Sequence, residues 1–113
     1  MKRLPKPKIT EKDITRWIRH FLKLNDIYHW KHWQGGFTAQ NGVSDILGLV
    51  NGRFLAIEVK KPGGKLSKKQ IEFIEQIRKH GGIAFKAESV KDVIKYLTKE
   101  GIKLRMQLDL PGI

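Results

Sequence analysis

Two apolar runs, residues 46–50 and 54–59, stand on either side of Asn51-Gly52. Asn-Gly between apolar runs is a strong hairpin signal, because a two-residue type I′ turn needs φ > 0 at both positions. Pairing Val50 with Arg53 fixes the register and sets Asp45 opposite Glu58. That is a non-hydrogen-bonded pair, with Cβ atoms roughly 4.5–5.5 Å apart. Both runs are apolar on both faces, so helices must cover the sheet on both sides.

The rest of the chain supplies those helices. Thr10 is placed to cap a helix, with Asp13 three residues on. Ile14, Trp17, Ile18, Phe21 and Leu22 then recur on one stripe, and Glu11 falls on it too. Residues 28–33 read as a strand by their aromatic content, with the tryptophans packed in the core or on the sheet. Residues 34–42 hold three glycines and an asparagine and predict a loop. After the hairpin, Pro62-Gly63-Gly64 ends the second strand. Ser67 caps a helix bearing Phe73, Ile74 and Ile77, closed by Gly81-Gly82. Residues 83–87 form a strand. Ser89 with Asp92 opens a last helix carrying Val90, Val93, Ile94 and Leu97, ended by Gly101. Alternation over 104–110 suggests an edge strand. The predicted fold is α/β, in the order α-β-β-β-α-β-α: a mixed β-sheet flanked by α-helices. Residues 1–9, rich in proline and lysine, read as a basic flexible arm, and 10–113 as a single domain.

Composition narrows the partners. Among 113 residues, 23 Lys and Arg outweigh 11 Asp and Glu, a formal charge of +12. That excess favours a polyanion such as DNA. No run of about 18 apolar residues exists, so no membrane span is expected. The first residues lack the apolar stretch of a signal peptide. A chain without cysteine has no disulfides, thiolate zinc sites or cysteine nucleophiles, which fits a reducing cytoplasm. Gly63-Gly64 lacks the Gly-Lys-Ser/Thr arrangement of a phosphate-binding P-loop.

The facing acids carry the chemistry. Like charges at the end of a buried hairpin are destabilising, and a divalent cation between them removes that cost. Lys60, two residues past Glu58, points to the same face. Two carboxylates and a lysine suit metal-assisted phosphodiester hydrolysis: the acids hold the ion, and the ammonium stabilises a phosphate oxygen or the nucleophile.

Asp45 followed by Glu58-Val59-Lys60 resembles the PD-(D/E)XK nuclease motif, with Ser44 where the motif name has proline. Gly42-Val43-Ser44-Asp45, Gly52-Arg53, Ile57-Glu58-Val59-Lys60 and Leu66-Ser67-Lys68-Lys69-Gln70 together resemble the VRR-NUC (virus-type replication-repair nuclease) family. The likeness is to its small stand-alone phage-like members and covers roughly residues 11–97. The resemblance implies a restriction-endonuclease-like core. It implies a metal-dependent DNA endonuclease of repair type, selective for branched DNA such as four-way Holliday junctions. Magnesium or manganese would be the cofactor and a homodimer the working form. It places Asp45, Glu58, the Val59 carbonyl and Glu11 at the metal, Lys60 at the reacting charge and Gln70 nearby.

Each reading has a plainer competitor. Glu58 and Lys60 suit a solvated strand end, but a central strand gives charges no such excuse. Glu11 is equally an acid favoured at a helix N-terminus. Gln70 completes a Ser-x-x-Gln capping box. His29 and His32, three apart on a strand, face opposite sides, which argues against zinc. Exposed tryptophans would be suited to stacking on unpaired bases. Lys61, Lys65, Lys68 and Lys69 read equally as an ordinary solvated face. Beside the Ser67-capped helix end, however, they make a phosphate-binding site for DNA. The rival functions are a non-catalytic nucleic-acid-binding module of this fold, and a structural protein whose basic face binds an acidic partner.

Overall fold

The computed structural model describes residues 8–33 and 41–105. The element order is α1 (Glu11–Leu24), β1 (Tyr28–Lys31), β2 (Ile46–Val50), β3 (Arg53–Val59), α2 (Lys68–Lys79), β4 (Ile83–Ala87) and α3 (Val90–Lys99). This is the order the hydrophobic pattern predicts. The four strands lie in sequence order, with β1–β2 and β2–β3 antiparallel and β3–β4 parallel. The sheet is therefore mixed, and β3 is interior.

Local chemistry sets these boundaries. Asn51 and Gly52 have φ of 51° and 75°, the two positive values of a type I′ turn. Val50 pairs with Arg53 and Ile46 with Ile57. Thr10 and Ser67 each cap their helices with reciprocal capping boxes, through Asp13 and Gln70. Ser89 accepts from the Asp92 amide, but the Asp92 carboxylate takes the amide of Glu88 instead.

The two sheet faces carry separate cores. Ile46, Val50, Leu55, Ile57, Val59, Ile83, Phe85 and Ala87 pack with α1 and α3 on one face. Leu47, Ala56 and Ala84 pack with Ile74, Phe73 and Ile77 of α2 on the other. The alternation along β2 and β3 thus sends odd and even positions into different layers.

Three expectations need correction. The first strand ends at Lys31 rather than at 33. The aromatics of 28–33 are not core: Tyr28 is 69% and Trp30 38% exposed on the edge strand β1, and Trp33, beyond its end, is 86% exposed. Trp17, on the α1 stripe, is also partly exposed. Leu104 and Arg105 are not in a strand. The remainder of the expected 104–110 strand lies outside the described residues, as do residues 1–7 of the arm and most of the expected 34–42 loop. Among the described residues, no helix is long and apolar enough to cross a membrane.

Candidate active site

Beyond the last β2–β3 strand pair, Ile46 with Ile57, a side chain takes over from the backbone ladder. The Val59 amide donates to Asp45 Oδ2 at 2.8 Å, tying the end of β3 to the residue before β2. Asp45 is two residues before Leu47, and Glu58 two after Ala56. Both acids therefore rise from the α2 face. Gly42, at φ +84°, brings this segment against the first turn of α2. A Cβ there would meet the Lys69 carbonyl oxygen at 2.3 Å. Glycine is required on both counts.

Glu58 is 2% exposed. Its Oε1 accepts from the Gln70 side-chain amide at 2.6 Å and lies 3.9 Å from Lys60 Nζ. Its Oε2 is buried with no hydrogen-bond partner among the described residues. Burial first, and then the charge of Asp45, push the Glu58 carboxyl up to about 8. Asp45 is also raised, mainly by burial, against the lowering effect of the Val59 amide. The charge of Glu11 contributes to both shifts. A buried and a half-buried acid that resist joint ionisation form a site with a deficit of positive charge.

Gln70 resolves into both of its expected roles at once. Its carbonyl oxygen accepts from the Ser67 amide at 2.8 Å, closing the capping box, while its NH2 group donates to Glu58. Lys60 is largely buried and faces Glu58. Glu11 sits exposed on the first turn of α1, so its place on the apolar stripe does not bury it. Val59 packs its side chain into the α1–α3 core. Ser44 is 1% exposed, and its hydroxyl has no partner among the described residues. A proline there would leave no such polar atom.

The donor set fits magnesium or manganese better than zinc. It offers carboxylate oxygens rather than thiolates or paired imidazoles. Among the described residues no three His, Asp or Glu side chains converge as a metal-ligand group. A cation held by Asp45 and Glu58 would keep several waters, as magnesium usually does.

The basic segment is fixed beside the acids. Glu88 accepts from the Gly63 amide at 3.0 Å, and Lys86 Nζ donates to the Gly64 carbonyl at 3.1 Å. Lys61, Lys65, Lys68 and Lys69 are exposed. Lys69 is 3.7 Å from Glu72, in a solvent-exposed pair of little energetic weight. The capping box already uses the Ser67 and Gln70 amides, which leaves less of the helix end for phosphate than the sequence suggests. A hollow of about 480 Å³ lined by Arg19, His20, Lys23 and 26–29 shares no residue with the acids.

The sequence offered His32 only as a disfavoured zinc ligand or an unpartnered general base and gave Lys86 no role, yet both lie beside the acids. The pairing of Trp30 with Leu47 puts even-numbered β1 residues on the α2 face. The His32 amide then donates to the Asp45 carbonyl at 2.8 Å, which sets His32 opposite Asp45. Across β3, Lys86 pairs with Glu58. His32, Asp45, Glu58 and Lys86 form one polar row across the sheet. Only an extended β1 register could reveal it, and the unpatterned stretch before residue 41 hides that register from the sequence.

A profile of the VRR-NUC domain matches residues 7–91. A solved structure described as a VRR_NUC domain protein superposes with a TM-score of 0.65 at 24% identity. The match covers 80% of this chain and 89% of that one. A comparison with curated proteins finds no match.

Proposed function

Because the chain belongs to the VRR-NUC family and has its nuclease-type fold, we propose that it is a divalent-metal-dependent DNA endonuclease. The observation that carries this reading is the pairing of buried Glu58 with half-buried Asp45, with Lys60 alongside and one Glu58 oxygen lacking a partner among the described residues. Asp45, Glu58 and the Val59 carbonyl are the residues that would hold magnesium or manganese, with Glu11 assisting through its charge. Bound there, the cation would supply an activated water and neutralise charge on the phosphate. Lys60 stabilises the negative charge that develops on the reacting oxygens. Gln70 fixes the Glu58 carboxylate, so that it need not reorganise as the reaction proceeds. Lys61, Lys65, Lys68, Lys69 and Ser67 contact phosphates of the DNA.

Among the described residues no base-reading element stands beside this site, so shape is the proposed basis of selection, with branched DNA such as four-way junctions as substrate. A two-fold dimer would present two sites to symmetry-related strands. The exposed Trp30 and Trp33 are its proposed apolar contact. Digestion of linear, flapped and four-way branched DNA, with magnesium and with a chelator, tests the reading. Magnesium-dependent cuts favouring the branched substrates are expected. Binding to DNA without cleavage of any substrate would instead leave a non-catalytic module.

A further inference from the structure

His32 stands opposite Asp45 on the same sheet face as Glu58, held there by the hydrogen bond its backbone amide donates to the Asp45 carbonyl at 2.8 Å. Its Nε2 is buried and has no hydrogen-bond partner among the described residues. On the other side of Asp45, Glu58 Oε2 has the same condition. Buried polar atoms almost always have a partner, so two orphans flanking one carboxylate point to something bound between them. Among the described residues His32, Asp45 and Glu58 do not converge as a three-ligand group, which suits the imidazole to an outer role beside the ion rather than a bond to it.

A magnesium or manganese ion on two carboxylates keeps coordinated waters, and those waters are hydrogen-bond donors. A neutral imidazole protonated at Nδ1 offers Nε2 as the matching acceptor. We infer that His32 is a positioning residue whose Nε2 accepts a hydrogen bond from a water of the cation held by Asp45 and Glu58. The inference rests on the metal-site reading above. Outer partners of this kind orient the ligands and set affinity without touching the ion.

Calorimetric titration of the full chain with Mn2+, without DNA, tests this alongside the metal-free melting temperature. His32→Ala is expected to weaken Mn2+ binding about 10- to 100-fold. Its metal-free melting temperature should stay level or rise, since an unpaired buried polar atom is removed. His32→Gln places an amide where Nε2 sits and should restore most of the affinity. His32→Asn reaches only the Nδ1 position and should behave like the alanine variant. Wild-type affinity in His32→Ala, or equal rescue by Gln and Asn, would overturn the inference while leaving the carboxylate site intact. A lower metal-free melting temperature at unchanged affinity would mean that His32 only fills space. Equal Mn2+ binding by wild type and Asp45→Asn would overturn the metal-site reading, and this inference with it.

Discussion

Glu58 carries the strongest physical tension in the molecule. Its carboxyl rises from an ordinary 4.5 to about 8, chiefly through burial and then through Asp45. A raised acid favours the folded state only while protonated. Its contribution is fully present below pH 4.5 and is lost as pH rises through about 8. Metal-free stability should therefore fall across that window, and thermal melts at a series of pH values would show it. Glu58→Gln removes the titration. The variant should melt several degrees above wild type at pH 8, where about 1 kcal/mol corresponds to roughly 4–8 °C in a small domain. The advantage should shrink toward pH 5. A pH-independent difference would mean that burial of Glu58 is not the cause. Near pH 7 a cation must displace a proton from this pair, so Mn2+ binding should release protons, measurable in buffers of different ionisation enthalpy. The facing of Asp45 and Glu58 was legible from the sequence because one Asn-Gly turn fixes every pair in the hairpin. The orphaned oxygen and the His32 alignment were not, since they depend on side-chain burial and on a strand paired across a long connection.

At the level of elements, Gln70 joins the cap of α2 to the acid on β3. The two roles can be separated. Gln70→Glu keeps the capping box, since glutamate is its usual member, but sets a carboxylate against Glu58 Oε1. Helix content by circular dichroism should hold, while cleavage falls and the metal-free protein loses stability at pH 8. Full activity in that variant would confine Gln70 to the cap. The hydrophobic pattern gave all seven elements in order, because a capping residue opens each helix and glycines close the second and third. It misplaced the aromatics of β1, since aromatic content signals a strand without saying whether that strand is interior or edge. It also placed Glu11 inward, because a stripe describes direction on a helix and not the depth reached by its first turn.

At the scale of the whole molecule, the charge of +12 frames how DNA is engaged. If lysines reach phosphates, affinity should fall steeply with salt, each contact adding about −0.9 to the log–log slope. Replacing Lys65, Lys68 and Lys69 together should flatten that slope by up to about 2.7, the three-contact limit. An unchanged slope would put the DNA on another face. Light scattering near twice the 13.1 kDa chain mass would support the dimer, and Trp30→Ala with Trp33→Ala should shift it toward the monomer. These readings converge on one claim, that Asp45 and Glu58 share a divalent cation. Crystals grown with manganese test it most directly, through the anomalous signal of the ion. The account predicts a peak between the two carboxylates, within roughly 2–2.5 Å of an oxygen from each. Crystals containing manganese that show no peak there, or a peak bound only by other residues, would contradict it.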